Sequence, residues 1–233
     1  MTKLSQLPLA VHLPDDENFA SFYSTANQSL LAQLKAFVEN EAGNVNGFYL
    51  FGQPGVGKSH LLHASTALAY QLKLHSLCLS FSELKDLSVE VLNDLENIDI
   101  ICLDDLHLIA GNREWEQGVF DLYNRVIENN KRIIITGNNS ANELNITLPD
   151  LVSRISWGYT EQVKPLTDNE KIIAIQQRAT LRGIKLSNDT AKFLLNRLSR
   201  DMKSLVECLD ILDKASIREQ RKITIPFIKE ILL

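Results

Sequence analysis

Apolar residues in the first two thirds of the chain are concentrated in short runs, and segments with helical spacing separate most of them. Five runs have the length and composition of buried strands, at residues 47–52, 75–81, 98–105, 131–139 and 157–163. Runs of this kind are typical of strands that are covered on both faces. The alternation of strand and helix therefore predicts an α/β fold, with a parallel sheet flanked by helices.

The pattern changes after Pro165. Three later segments repeat apolar residues with the 3.6-residue period of a helix, at 167–182, 187–198 and 202–219. Thr167 with Asp168, and then Ser187, are predicted to cap the first two helices, and Pro226 falls in the first turn of a short closing helix. This part of the chain therefore predicts a small all-α domain.

Three regions follow from these patterns. Residues 1–15 are predicted to be an exposed leader, residues 16–165 the α/β domain and residues 166–233 the helical domain. A chain of 233 residues has room for one α/β domain of ordinary size and a small appendage.

Charge and cysteine content narrow the choice of function. The formal net charge is -5, so the chain has no excess of Lys and Arg for nucleic-acid phosphates, and we expect any contact with DNA to be indirect or weak. The 3 cysteines form no CxxC pair, which predicts buried thiols in a reducing compartment. No run approaches the roughly 18 apolar residues of a membrane span, so we expect a cytoplasmic protein without a membrane contact.

A glycine-rich stretch, GQPGVGKS, follows the first predicted strand and precedes a predicted helix. It fits the pattern GxxxxGK[ST] at every fixed position, in the strand-to-helix context that a phosphate-binding loop requires. Lys58 is expected to reach the β and γ phosphates of a nucleotide, and Ser59 to coordinate Mg²⁺. An incidental glycine turn is the alternative, but spacing, residue types and flanking elements all favour the phosphate loop.

Polar residues end two further strands. Asp104 is expected beside the phosphate loop, where it can hold the hydration shell of Mg²⁺, and Asp105 could polarise a water. Asn138, at the end of a later strand, could orient a water or the γ-phosphate. The alternatives are acids at the start of a solvated loop and an asparagine in an ordinary turn.

Arg154 lies in the segment LPDLVSRISWG, which predicts a short helix before the last strand. From such a helix the guanidinium could point away from its own site, towards the phosphates of a nucleotide held by a neighbouring molecule. An arginine in that position stabilises transition-state charge. The alternative is a surface residue in a salt bridge.

The order of these motifs resembles the AAA+ ATPases of the DnaA initiator clade, and the resemblance extends from about Asp16 to the C-terminus. GKSHLLHA and SRISWG are especially similar to DnaA. The segments FDLYNRVIE, RATLRGIKL and ASIREQRKITIPFIKEIL are more similar still to the DnaA-related regulators that inactivate the initiator. The resemblance implies a nucleotide-binding AAA+ domain with a helical lid.

Site residues follow from the resemblance position by position. It implies that Asp104 is the Mg²⁺-associated acid, Asn138 the sensor-1 residue and Arg154 an arginine finger, and that Asn18 and Phe19 contact the base or ribose. The expected nucleotide contacts of the loop are Gly52, Gln53, Pro54, Gly55, Val56, Gly57, Lys58, Ser59 and His60.

Two positions depart from the family pattern. Lys203 occupies the sensor-2 position, where the family usually has Arg, and Asp105 stands where many members have Glu. Lysine lacks the planar guanidinium with which arginine binds a phosphate through two hydrogen bonds. Aspartate is shorter than glutamate and is less able to reach the attacking water. We therefore expect an adenine nucleotide with Mg²⁺, ADP rather than ATP as the working ligand, and poor hydrolysis by the chain alone.

The leader contains a short apolar peptide with a proline. The residues concerned are Gln6, Leu7, Pro8, Leu9 and Ala10. A mobile terminus is the plain interpretation. The peptide also resembles the QLxLx motif by which bacterial proteins dock on the sliding clamp of DNA polymerase III, so the resemblance implies a clamp tether.

Taken together, the resemblance implies a protein that links the clamp to DnaA and stimulates hydrolysis of DnaA-bound ATP, and that forms a homodimer. Three alternatives remain. A DnaA initiator would need a helix-turn-helix domain after the lid, and here the chain stops at Leu233. A helicase loader of the DnaC kind would need a helicase-binding domain before the core. A P-loop kinase with a small-molecule substrate would leave the lid and Arg154 unexplained.

Overall fold

A computed structural model describes residues 17–43, 45–84, 86–197 and 201–233. Its centre is one parallel sheet of five strands in the order β2-β3-β4-β1-β5. The strands are β1 Gly47–Phe51, β2 Ser76–Ser80, β3 Ile100–Asp104, β4 Arg132–Gly137 and β5 Tyr159–Gln162. Each lies inside one of the five predicted runs, so the predicted α/β fold is confirmed.

Nine helices are described in the same residues. Those of the first part are α1 Gln28–Val38, α2 Lys58–Gln71, α3 Phe81–Leu84, α4 Arg113–Glu128 and α5 Pro149–Trp157. Those of the second part are α6 Asp168–Leu181, α7 Asn188–Arg197, α8 Met202–Glu219 and α9 Ile225–Leu232. Short 3-10 turns occupy Val89–Leu92, Leu106–Ile109 and Ala141–Glu143.

Alternation along each strand separates two apolar cores. In β1, Phe48 and Leu50 pack on the side of α1 and α2, whereas Tyr49 packs on the side of α4 and α5. Both faces of the sheet are therefore covered, which is why the central strands β1, β3 and β4 are buried at nearly every position, whereas the edge strand β5 is mostly polar and half exposed. Helices α6 to α9 enclose a third core of their own. The helical lid predicted from the 3.6-residue period is thus confirmed.

The predicted helix starts are largely confirmed. Thr167 and Glu170 form a reciprocal capping box at the start of α6. Ser187 Oγ accepts the N–H of Thr190 at 3.2 Å at the start of α7, and Pro226 lies in the first turn of α9. One boundary was wrong: Trp157 was placed in the last strand run, but it is the final residue of α5.

No helix in the described part of the chain combines sufficient length with sufficient apolarity to cross a bilayer.

Candidate functional site

A cavity of about 530 Å³ lies where the carboxyl end of the sheet meets the N-terminal segment and the lid. Its walls come from four parts of the chain that are distant in sequence. The lining residues are Glu17, Ser21, Phe22, Tyr23, Pro54, Gly55, Val56, Gly57, Lys58, Ser59, His60, His63, Asp105, Leu166, Ala174, Arg178, Met202, Lys203, Val206 and Glu207. Most of the predicted phosphate loop therefore faces this cavity.

Two loop positions require glycine. A Cβ on Gly52 would lie 2.7 Å from the carbonyl oxygen of Val163, which is backbone and cannot yield. Gly57 precedes α2 with a φ of 100°, and a Cβ there would lie 2.7 Å from the ring of Phe22. Only glycine allows this left-handed turn so close to an aromatic ring, and the turn places the start of α2 at the cavity.

Lys58 is held inside the loop that it follows. Its Nζ donates to the carbonyl oxygens of Gly52 at 2.8 Å and Gln53 at 3.1 Å. Burial lowers the pKa of Lys58, while the charges of Asp105 and Asp104 oppose the shift. Gly52 and Gln53 are not among the lining residues, so in this structure they serve as acceptors for the lysine.

The acidic end of β3 is fixed by the neighbouring strand. Thr136 Oγ1 donates to Asp104 Oδ1 at 2.5 Å and accepts the N–H of Asp105 at 2.9 Å. Asp105 has a left-handed backbone, with φ at 60°. Burial raises the pKa of Asp105, and the charge of Asp104 adds to that shift. One hydroxyl on β4 thus holds the carboxylate of Asp104 and the backbone of Asp105.

Asp104 is the last residue of β3, which β4 separates from β1 and from the phosphate loop that follows β1. The charge of Asp104 acts on Lys58 of that loop. Asn138 follows β4 and is partly buried, but it does not line the cavity.

Asn18 and Phe19 were predicted to contact the base or ribose. Neither lines the cavity. The amide oxygen of Asn18 accepts the N–H groups of Ala20 and Ser21, at 2.9 and 3.1 Å, and so closes a local turn. Phe19 turns away to pack against the α1 and α2 core, with the ammonium of Lys35 5.3 Å from its ring centroid.

A polar cluster that the sequence did not reveal forms one wall. Arg178 donates to His60 Nδ1 at 2.6 Å, and His60 Nε2 lies 3.0 Å from the carbonyl oxygen of Asn18. Arginine can only donate and a carbonyl can only accept, so these contacts fit a neutral His60 protonated on Nε2. Arg178 also lies 3.5 Å from Glu17. The sequence did contain one signal for this cluster, because Arg178 is a charged residue on the apolar face of the helical pattern of α6.

The lid approaches the site through α8. Lys203 lines the cavity, and its charge acts on Asp105 across the space between lid and sheet. The lid is also joined to the N-terminal segment, because Glu170 Oε1 accepts the N–H of Thr25 at 3.0 Å and its hydroxyl at 2.5 Å. These contacts fix the position of α6 against the segment that carries Glu17.

Arg154 lies on α5, away from the cavity lining. It is partly exposed, and its guanidinium makes no hydrogen bond or ion pair with any residue that the structure describes. The charge of Arg154 acts on Tyr123 of α4. Trp157, one turn further along the same helix, is 79% exposed. Arg154 and Trp157 therefore form a cationic and aromatic surface outside the site of their own chain.

The start of α5 is held by a buried carboxylate that the sequence did not single out. Glu116 on α4 is fully buried. Its oxygens accept the N–H groups of Gly111, Thr147 and Leu148 at 2.8 to 3.0 Å. Burial by itself would raise the pKa of Glu116, but these hydrogen bonds and the one from the Thr147 hydroxyl lower it. Glu116 therefore positions the helix that bears Arg154.

The donor set fits a nucleotide with Mg²⁺. Lys58, Lys203 and Arg178 supply positive charge to the cavity, and Ser59 with Asp105 supplies the hydroxyl and carboxylate oxygens that Mg²⁺ prefers. The predicted clamp peptide, Gln6 to Ala10, lies outside the described residues, as does the rest of the leader up to Asp16.

A glycine loop between β1 and α2, two acids at the end of β3 and a four-helix lid define a module of the AAA+ class. A family model described as the bacterial DnaA ATPase domain matches residues 13–162, and one described as the lid domain of Hda matches residues 168–232. The chain belongs to the DnaA family of AAA+ proteins, with a lid of the Hda type.

Solved structures share the fold. Domain III of the replication initiation protein DnaA from Thermotoga maritima aligns with a TM-score of 0.79 at 19% identity, over 94% of this chain and 96% of that one. AMPPCP-bound DnaA from Aquifex aeolicus aligns with a TM-score of 0.71 at 19% identity, over 90% of this chain and 71% of that one. The Thermotoga maritima RuvB Holliday junction branch migration motor aligns with a TM-score of 0.66 at 16% identity, over 93% of this chain and 71% of that one. At these identities the likeness concerns the fold.

Proposed function

We propose that this protein regulates the initiator DnaA by stimulating hydrolysis of the ATP that DnaA holds. Arg154 acts in trans, as an arginine finger on the nucleotide of the neighbouring DnaA. Gln6, Leu7, Pro8, Leu9 and Ala10 tether the protein to the sliding clamp of DNA polymerase III, so that stimulation follows clamp loading. Both partners act on the bacterial chromosome, and the proposal implies a cytoplasmic location with indirect contact to DNA.

The observation that carries the proposal is the environment of Arg154. The guanidinium is partly exposed, has no partner among the described residues and lies outside the cavity of its own chain. An arginine finger needs this combination, because it must reach phosphates held by another molecule. Trp157 beside it offers an aromatic anchor for that molecule.

The cavity itself is proposed to hold an adenine nucleotide with Mg²⁺, ADP rather than ATP. In this proposal the nucleotide is a conformational ligand that bridges phosphate loop and lid. Asp105 and Lys203 support this view, because the shorter acid and the ammonium are weaker catalytic groups than a glutamate and a guanidinium. Mg²⁺ would neutralise phosphate charge, while Lys58 and Lys203 bind the phosphates and Asp104 orients bound water.

One ATPase assay tests partner, tether and finger together. DnaA loaded with ATP is incubated with the protein, clamp and DNA, and with each component omitted. We expect stimulation only in the complete mixture. Equal stimulation without clamp would refute the tether, and absence of stimulation in the complete mixture would refute the proposed function. A helicase loader would act without clamp or leader.

Paired variants separate the two surfaces. Arg154→Ala should reduce stimulation by roughly 100-fold or more while clamp binding is retained. Replacing Gln6 and Leu7 by Ala should abolish clamp binding while nucleotide binding is retained. Arg218→Ala is the matched control, because this arginine is 75% exposed on α8. If Arg154→Ala and Arg218→Ala stimulate equally, Arg154 is not the finger.

Nucleotide binding is measured separately. Calorimetry with ADP, ATP and Mg²⁺ should show binding to the wild type and at least a tenfold loss for Lys58→Ala. Lys192→Ala, an exposed lysine of α7, is the control. Sedimentation tests the proposed homodimer, which would cover the Arg154 surface until the clamp displaces it.

A further inference from the structure

The α/β domain and the lid meet at the cavity without sharing an apolar core. The α/β domain has one apolar core on each side of its sheet, and the lid has a third. Among the described residues, no member of the lid core belongs to either of the other two. The position of the lid therefore depends mainly on contacts outside these cores, and domains joined in this way commonly move relative to one another.

Residues 17–27, which we call the strap, supply several of these contacts. Near its C-terminal end, Asn27 pairs with the backbone of Lys164. The amide oxygen of Asn27 accepts the N–H of Lys164 at 2.9 Å, and its amide nitrogen donates to the carbonyl oxygen at 2.9 Å. Lys164 lies between β5 and α6, where the chain passes into the lid. Asn27 is buried. The strap is therefore fixed at the connection between the two domains.

A second set of contacts joins the strap to the first turn of the lid. Glu170 of α6 accepts the N–H and the hydroxyl of Thr25 with Oε1, at 3.0 and 2.5 Å. It accepts the N–H and the hydroxyl of Thr167 with Oε2, at 2.9 and 2.8 Å. Each carboxylate oxygen thus serves one side of the junction. Hydrogen bonds to an ionised carboxylate are stronger than those between neutral groups, so Thr25 is an effective attachment for α6.

The N-terminal end of the strap contacts both domains. The carbonyl oxygen of Asn18 lies 3.0 Å from Nε2 of His60, and Oγ of Ser21 lies 3.2 Å from the same atom. Arg178 of α6 donates to Nδ1 of His60 at 2.6 Å, and it lies 3.5 Å from Glu17. One imidazole of α2 therefore connects the strap with the lid.

The strap is also a wall of the cavity, which Glu17, Ser21, Phe22 and Tyr23 line. We propose that the strap is a latch for the lid. Its contacts with Glu170 and Arg178 hold the lid over the cavity, and their release lets the lid move so that a ligand enters or leaves. This inference rests on the proposed function, which gives an adenine nucleotide as the ligand. Release of the latch then limits nucleotide exchange.

A latch differs from an ordinary binding contact in its effect on rates. If the lid must move for both entry and exit, a weaker latch raises the association and dissociation rate constants together, and the affinity changes little. A contact that only stabilises bound nucleotide acts on the dissociation rate constant alone. The two rate constants therefore distinguish these roles.

The first test is stopped-flow fluorescence with methylanthraniloyl-ADP, which measures the two rate constants separately. Thr25→Val keeps the shape of the side chain and the backbone N–H, but it removes the hydroxyl bonded to Glu170. Thr25 does not line the cavity. We expect both rate constants to rise roughly three- to tenfold. Thr180→Val is the control, because Thr180 is exposed on α6 and bonds within its own helix.

The outcomes are distinct. Unchanged rate constants in Thr25→Val, or the same change in Thr180→Val, would overturn the latch. Faster dissociation with unchanged association would also overturn it, since the contact would then only stabilise the bound nucleotide. Glu170→Gln should act in the same direction as Thr25→Val, and the double variant should show less than the product of the two effects, because both changes weaken one contact. A full product would refute the shared contact.

The second test is amide hydrogen exchange of the nucleotide-free protein, followed by mass spectrometry of its peptides. We expect strap peptides to exchange severalfold faster in Thr25→Val than in the wild type, while peptides of α4 exchange equally in both. Equal exchange of the strap in the two proteins would overturn the latch. Failure of the wild type to bind nucleotide would instead count against the proposed function, because this exchange experiment does not depend on nucleotide.

Discussion

Glu116 accepts both the backbone N–H and the hydroxyl of Thr147, the hydroxyl at 2.6 Å, and this links α4 to the segment just before α5. Replacing Glu116 by Ala leaves buried N–H groups without an acceptor. We expect a loss of roughly 2–4 kcal/mol in the free energy of unfolding. Urea denaturation followed by circular dichroism at pH 7 measures it.

The control for this prediction is Glu114→Ala, because Glu114 is exposed on the same helix. It should change stability by no more than about 0.5 kcal/mol. Glu116→Gln keeps one carbonyl oxygen and should fold, but it should still weaken DnaA stimulation because α5 carries Arg154. Similar stability of the two alanine variants would show that the buried hydrogen bonds contribute little.

Thr136 holds the carboxylate of Asp104 and the backbone N–H of Asp105 at the end of β3. Thr136→Val keeps the shape but removes the donor to Asp104 and the acceptor of the Asp105 N–H. We expect a loss of roughly 1–3 kcal/mol in stability, together with weaker Mg²⁺-dependent nucleotide binding. Thr136→Ser restores the hydroxyl and should recover most of the Mg²⁺ dependence. Calorimetry with and without Mg²⁺ distinguishes the variants, and identical Mg²⁺ dependence in all three would contradict the prediction.

Lys203 faces the cavity from the lid, so its replacement tests how the lid contacts nucleotide. Lys203→Arg supplies a planar fork that can bind phosphate through two hydrogen bonds. We expect its ADP affinity to rise several-fold, and that of Lys203→Ala to fall. Lys214→Arg is the control, since Lys214 is exposed on the same helix. If calorimetry gives one affinity for all of these variants, Lys203 does not contact the nucleotide.

Glu170 makes the junction between lid and N-terminal segment sensitive to acid. Hydrogen bonds from Thr25 and Thr167 lower the pKa of Glu170 from 4.5 to about 2. A carboxylate with a depressed pKa stabilises the fold above the unfolded value, and this contribution is lost as the pH falls from 4.5 towards 2. Glu170→Gln should therefore show a shallower decrease of melting temperature over that interval than the wild type.

The comparison for Glu170 is Glu143→Gln, an exposed acid of the 3-10 turn Ala141–Glu143. It should follow the wild-type curve closely, because its side chain is exposed and makes no contact across the junction between lid and N-terminal segment. Parallel curves for Glu170→Gln and wild type would show that the carboxylate charge is not needed at this junction.

Local patterns in the sequence predicted the elements well. The apolar runs located all five strands, and the period of 3.6 located the lid helices, because each signal lies within a few neighbouring residues. Caps at Thr167 and Ser187 were also readable, since a cap involves residues only three positions apart. Trp157 was placed wrongly because it lies at a boundary between helix and strand, where local signals overlap.

The candidate site was predicted in part. The loop from Pro54 to His60 and the residues Asp105 and Lys203 do line one cavity. Asn18 does not line that cavity, and its amide oxygen closes a backbone turn. Arg178 was missed, because a charged residue within a helical pattern is usually solvated, and only packing of the lid against α2 brings it to His60.

The sequence by itself determined the α/β class, the helical lid, the phosphate-loop motif and the family resemblance, since these depend on residue type and short spacing. Only the tertiary structure decided that β4 separates β1 from β3, that Thr136 bonds to Asp104 and to the backbone of Asp105, and that Cys78 adjoins Cys102. Strand order and side-chain partners arise from contacts between distant segments. Such contacts depend on how whole elements pack, which no local period encodes.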